Sequence, residues 1–298
     1  MILTFFMAMA SPLIPENTGQ ESYSETYTAF VDLQDETYVL MQFLFTNAGF
    51  GSNKAGCRLL FVPKGAKGYN SSVQLGSGDW KASASILKVG KCHLKDKNGN
   101  TEMYVQTDDG HVRLDISAGI KKKTLPDGVI TVGSNDFYEQ DLLIPNAVAK
   151  VEYSVKGQKG NAVGFVQLDH TRSNTILPKI AKGWYRYRGF DGETPILAQV
   201  RSTPKGKQIG WVYDPSAKKV STLLSATLNT ESVLNTDNGA LRVQPSKMIY
   251  EYRPLESYGI MGSVAKAFVG NPVTRTYHAV ATWKGSQSSG ILEWVQID

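Results

Sequence analysis

Asp169, His170 and Arg172 close an apolar run in the stretch GFVQLDHTRSNTILPKIAKGWYRYR, residues 164–188. Three ionisable side chains this close together, flanked by segments able to bury themselves, are costly to desolvate unless they pair with one another or meet a ligand. One reading of such a group is a ligand-facing or catalytic cluster. The same residues also suit the polar end of a binding cavity. Alternation puts Phe165, Gln167 and Asp169 on one strand face and Val166, Leu168 and His170 on the other. If the strand ends at Asp169, the turn through Thr171 to Asn174 can bring His170 and Arg172 back toward the mouth of a barrel; if the strand continues, Asp169 and His170 diverge. A purely structural alternative is an Asp–Arg pair holding a strand end. Downstream, Trp184, Arg186 and Arg188 share one face of GWYRYRGF, and Tyr185 and Tyr187 share the other. Arginines facing solvent over packed tyrosines is one arrangement; an interior arginine paired with Asp169 is the other.

The elements that position these residues read as strands. Runs such as TYTAFVDL, TYVLMQFLFTNAGF, CRLLFVP, HVRLDISA, AKVEYSVKG, PILAQVRS, QIGWVYD and RTYHAVATW are rich in β-branched and aromatic residues. Turn pairs separate them at Asn98-Gly99, Asp109-Gly110, Asp127-Gly128, Asp191-Gly192 and Asn238-Gly239, several of which suit tight hairpins between adjacent antiparallel strands. Helix signal is confined to two short candidates, TILPKIAKG and YGIMGSVAKAFVG, and the absence of a βαβ rhythm excludes Rossmann-type and TIM-type folds. The expected fold is all-β: two packed antiparallel β-barrels with few short helices. A break near LLIPNAVAKVEYSVKG divides the chain into an apolar N-terminal tail or signal remnant (1–20), an N-terminal domain (21–146) and a C-terminal domain (147–298).

With 298 residues, 41% hydrophobic and 20% charged, the chain has ordinary globular composition and can bury a large core. Its net charge of +5 is unevenly spread: no Lys or Arg precedes Lys54, and basic residues dominate from Lys179 to Lys219. Pairing of acidic and basic parts within the fold explains this; so would an anionic lipid surface or nucleic acid. Nucleic acid is not favoured, because no RRM or cold-shock motif accompanies the basic aromatic stretch. Signatures for serine hydrolases, zincins, P-loops and dinucleotide folds are missing, and no metal or cofactor is expected from four scattered His and two Cys. Cys57 and Cys92 are either buried free thiols or one disulfide. The segment MILTFFMAMASP fits a partial secretory signal, a membrane-touching tail or a first strand, which leaves the compartment open; oligomeric state is not readable.

The strings AKVEYSVKG, GFVQLDHTRSNTILPKIAKGWYRYRGF, PILAQV, MGSVAKAFVGNPVTRTYHAVATW and GILEW resemble the lipocalin-like superfamily of Svf1-like proteins, AttH proteins and carotenoid 1,2-hydratase (hydroxyneurosporene synthase). The resemblance is best over 147–298. It implies two lipocalin-like barrels with an apolar cavity and hydrophobic clients: lipids such as ceramide, isoprenoids or polyenes. It also implies that the aspartate of the family's D-H-type motif falls on Asp169, beside His170. The DHTRSNTILP string departs from the hydratase version and is closer to the Svf1-like form, and the barrel-rich pattern with no complete catalytic set makes a carrier of a lipid or other hydrophobic small molecule the leading expectation. Its ligand-binding residues would be Asp169, His170, Arg172, Trp184, Arg186, Phe165 and Gln167. The alternative is a hydratase or cyclase acting on an isoprenoid or polyene, with Asp169 and His170 catalytic: the resemblance to the hydratases implies Asp169 as general acid, since a carboxyl kept protonated by an apolar pocket is a competent proton donor, with His170 or Arg172 orienting it. Peripheral membrane contact is compatible with either.

Overall fold

A computed structural model describes residues 13–16, 19–20, 22–47, 53–76, 78–189, 195–215, 217–255 and 270–297. The period-2 alternation read from the sequence is realised in twenty strands. The first twelve are β1 (Ser24–Leu33), β2 (Tyr38–Thr46), β3 (Lys54–Val62), β4 (Tyr69–Leu75), β5 (Trp80–Ser83), β6 (Ile86–Val89), β7 (Cys92–Lys97), β8 (Asn100–Thr107), β9 (Gly110–Ile116), β10 (Lys123–Val132), β11 (Asp136–Val155) and β12 (Gln158–Ser173). After one helical turn, α1 (Leu177–Ile180), follow β13 (Gly183–Gly189), β14 (Leu197–Ser202), β15 (Gln208–Asp214), β16 (Lys219–Thr227), β17 (Ser232–Thr236), β18 (Gly239–Tyr252), β19 (Pro272–Trp283) and β20 (Ser286–Ile297).

The first twelve strands form one antiparallel sheet in the order β4-β3-β2-β1-β12-β11-β9-β8-β7-β6-β5, with β10 paired to β11. The sheet curls until β3 packs on β6 and β8, enclosing Phe43, Leu59, Leu94, Met103 and Leu168. Its end strands β4 and β5 are not paired with each other, so this barrel keeps an open seam. Strands β13 to β20 close completely, β13 pairing with β20. Tyr185, Tyr187, Val212, Leu241, Trp283 and Leu292 fill that barrel.

Three sequence expectations change here. The boundary expected at 146/147 falls inside β11: Pro145 and Asn146 produce a register shift between Ile144 and Ala147, a bulge that bends one long strand. Strand pairing passes to the second barrel only between Ser173 and Gly183. Asp127-Gly128 likewise marks an irregularity within β10 and not a hairpin, with Asp127 at φ 59. By contrast, Asn98-Gly99, Asp109-Gly110 and Asn238-Gly239 do join consecutive strands. The first helix candidate shrinks to α1, where Pro178 sits in the first turn. The second candidate, the Asp191-Gly192 turn and the apolar run before Leu13 lie outside the described residues. Both cysteines are buried free thiols.

The barrels meet along the outward faces of β1, β2, β3, β10, β11 and β12 on one side and of β13, β14, β15, β18 and β20 on the other. Three apolar patches seal this junction, around Phe30 and Ile291, Leu142 and Trp211, and Tyr138 and Trp184. The basic stretch does pair within the fold, although its partners are not the N-terminal acids. Lys179 meets Asp136, Arg188 meets Asp169 and Glu293, and Arg201 meets Asp127. Arg201 grips Asp127 with Nε at 2.6 Å and Nη2 at 2.5 Å, and donates from Nη1 to the Ile180 carbonyl at 2.7 Å. A lysine cannot reproduce that fork. Arg201→Lys is expected to cost about 1–2 kcal/mol, read as a lower urea midpoint; an unchanged midpoint would show that the clasp contributes nothing.

Candidate functional site

Strand β12 runs through to Ser173, so Asp169 and His170 diverge. His170 points into the first barrel, where its Nε2 donates to Glu25 at 2.7 Å and its ring stacks on Tyr27 at 4.5 Å. Glu25 also accepts from the hydroxyls of Tyr23 (2.5 Å) and Tyr27 (3.0 Å) and from the Glu16 backbone N–H (3.0 Å). Burial alone would raise the Glu25 carboxyl. The hydrogen bond and charge of His170, with the Tyr23 hydroxyl, outweigh it and hold the group below its usual range. A depressed carboxylate contributes stability that is present above its unfolded value and lost as pH falls through the folded one. The wild type should therefore lose stability relative to Glu25→Gln as pH falls from 4.5, by about 1–2 kcal/mol in total, in urea titrations across that range. Parallel curves would disprove the coupling.

Asp169 faces the second barrel. Its carboxylate accepts from Gln167 (2.5 Å) and Gln140 (3.2 Å) and lies 3.5 Å from Arg188 Nη2. Arg188 is 2% exposed, lies 3.6 Å from the Phe30 ring centroid and pairs with Glu293 at 2.6 Å. The Asp–Arg pair is therefore made with Arg188 and not with Arg172. Arg172 sits at the far end of β12, ion-paired to Glu139 and Glu16. Arg186 bonds Gln199 (3.0 Å) and the Tyr138 hydroxyl (3.2 Å), with its guanidinium over Trp184. The voids beside this network are about 10 Å³ each, room for roughly one water. Of the seven residues singled out from sequence, Gln167 and Asp169 are joined directly and Trp184 and Arg186 lie nearby across the junction. His170 and Arg172 are directed elsewhere, and Phe165 lines a different space.

That space is the principal cavity, about 490 Å³, and it lies between the barrels and not inside either. Asp32, Leu33 and Phe165 form one wall; His278, Ala279 and Gly290 belong to the other. A side pocket of about 150 Å³ shares Glu36, Lys247 and His278 with it. Asp32 arrives there by strand alternation, in register with Phe165 on β12 and on the same face of β1 as Phe30. Burial, reinforced by the nearby carboxylates of Glu36 and Asp35, pushes its carboxyl up to about 7. No hydrogen bond or cation among the described residues offsets that cost. Opposite it, burial pushes His278 down, against a hydrogen bond to the Glu36 backbone and with help from Lys247 and Lys64. The cleft thus holds a carboxyl poised to donate a proton and an imidazole kept neutral, a pairing suited to acid–base chemistry.

Neither residue stood out in the sequence. Asp32 reads as one of several acids in VDLQDE, and His278 as part of an ordinary strand in RTYHAVATW. The available signal was the apolar neighbour two positions away, Phe30, which places Asp32 on a face that must be covered. Among the described residues no cluster of three or more His, Cys, Asp or Glu is arranged to hold a metal, and no helix is long and apolar enough to cross a membrane.

Two antiparallel barrels joined face to face, with a cleft at the junction, define a lipocalin-like two-barrel protein. Solved structures share this fold over nearly the whole chain. An AttH-type protein of Nitrosomonas europaea superposes with TM-score 0.64 at 12% identity, covering 93% of this chain and 92% of that one. Kievitone hydratase of Nectria haematococca superposes with TM-score 0.57 at 12% identity, covering 96% and 94%. CghA in complex with Sch210972 gives 0.54 at 8% identity, covering 97% and 94%. The fold expected from the AttH-like and hydratase-like motifs is therefore the fold adopted. No family model matches the chain, and no curated protein matches it by sequence.

Proposed function

We propose that the protein binds a hydrophobic small molecule in the inter-barrel cleft and catalyses addition or removal of water at a carbon–carbon double bond. The observation that carries this reading is Asp32, an unpaired carboxyl raised to about 7 in the principal cavity. In the hydration direction, protonated Asp32 gives its proton to an alkene carbon, and neutral His278 takes a proton from the water that adds to the resulting cation. Dehydration is the reverse. Leu33, Phe165 and Ala279 supply apolar surface for the hydrocarbon part. The acid is placed at Asp32 because the Asp169 carboxylate is already engaged by Gln140, Gln167 and Arg188. One of the structural relatives is named as a hydratase, which is consistent with this chemistry.

A panel of isoprenoid and polyene substrates incubated with the protein in heavy water tests the proposal. Deuterium fixed at carbon together with a gain of water is expected, and its loss in Asp32→Asn with binding retained. Binding without turnover by the wild type would leave a carrier, the reading that the DHTRSNTILP motif suggests.

A further inference from the structure

The proposed reaction uses neither of the chain's two cysteines, yet the fold brings them together. Cys57 lies on β3, next to the end strand β4, and Cys92 opens β7 near the other end of the same sheet. Between those ends no strand pairing exists among the described residues, so side-chain packing alone holds the seam. The packing is close: a Cβ on Gly90, in the β6–β7 turn, would sit 2.7 Å from Leu75 Cδ1 on β4. Cys57 Sγ lies 3.6 Å from the carbonyl of Val89, the residue directly opposite Cys92 in the hairpin. The two thiols are near enough to shift one another's titration, Cys57 upward and Cys92 downward, and Cys92 Sγ donates to the Gln106 carbonyl at 3.5 Å and accepts from the Gln106 N–H at 3.4 Å.

We infer that Cys57 and Cys92 are a reversible disulfide pair whose closure staples the open seam of the first barrel. The oxidant suited to a site 2% exposed beside a tight turn is small, such as hydrogen peroxide. The Cys92 thiolate attacks one peroxide oxygen, the O–O bond breaks, and a sulfenic acid and hydroxide form. The Cys57 sulfur then attacks the Cys92 sulfur and displaces the sulfenic oxygen, which leaves as water with the Cys57 proton. Two electrons pass from the sulfurs to the peroxide. The order of attack follows from the surroundings: the neighbouring Cys57 and the Gln106 N–H hold Cys92 toward its thiolate, while the neighbouring Cys92 and burial push Cys57 the other way.

The test uses the full chain, reduced, freed of reductant and treated with hydrogen peroxide before denaturation and alkylation. Expected are a mass lower by about 2 Da, no alkylation at either cysteine and a linked peptide pair containing both. The crosslink encloses residues 57 to 92, so Tm should rise by about 5–10 °C, and dithiothreitol should reverse it. In Cys57→Ser the sulfenic acid should persist on Cys92 and be trapped by dimedone. Retained oxygen adducts on the wild type, two alkylated cysteines or a disulfide between chains would each overturn the inference. If Cys57→Ser does not fold, the wild-type mass and linked peptide decide the matter by themselves.

Discussion

Asp32→Asn is expected to abolish turnover while making the protein more stable. A carboxyl whose folded pKa lies above its unfolded value binds its proton more tightly in the folded state. Its contribution therefore declines as pH rises from the ordinary value of 3.8 through about 7. Asparagine does not titrate, so the variant's advantage should grow across that window and level off above it, on the order of 2 kcal/mol after allowing for partial exposure. Loss of a general acid should lower kcat by roughly 10²–10⁴. Urea denaturation of both proteins at pH 4, 6 and 8 checks the first part, and the heavy-water assay checks the second. A wild-type pH–rate profile falling above about 7 would tie the two together, because the donor must be protonated. An Asp32→Asn variant that is less stable at pH 8 would show that Asp32 has a stabilising partner and is not a strained, functional acid.

The second large effect concerns the junction. Arg188→Met leaves the carboxylates of Asp169 and Glu293 buried without their cation, and breaking a buried ion network in this way costs about 3–5 kcal/mol. The diagnostic variant is the triple change Arg188→Met, Asp169→Asn and Glu293→Gln. It removes every charge at once and should recover most of that loss, as a raised urea midpoint. If the triple variant is as unstable as the single one, the loss comes from packing of the guanidinium on Phe30 and not from stranded charge. Asp169→Asn alone should weaken the fold and spare the heavy-water reaction. Abolished turnover in a folded Asp169→Asn protein would return the acid to the position the sequence suggested.

Much of the architecture is determined locally, and that much was legible in the sequence. Strand alternation sorted Phe165, Gln167 and Asp169 from Val166, Leu168 and His170, and Trp184, Arg186 and Arg188 from Tyr185 and Tyr187, because successive side chains on a strand point to opposite faces. The all-β class and the hairpins at Asn98-Gly99 and Asn238-Gly239 follow from the same short-range chemistry. Proline and glycine could mislead where the chain bends without ending: Pro145 breaks register inside β11, and Asp127-Gly128 bulges inside β10.

What only the tertiary structure decided is which outward face is covered, and by what. Asp169 lies 19 positions from Arg188 and 124 from Glu293, yet the packing of one barrel on the other makes them one network. Glu25 and His170 stand 145 positions apart and meet because β1 pairs with β12. Asp32 and His278 belong to different barrels and share a cleft only because those barrels dock. The sequence by itself determined the strands and the face each side chain takes. The docking of the two barrels set the dielectric around each carboxyl, and that environment distinguishes an ion pair at Asp169 from a carboxyl raised by burial at Asp32.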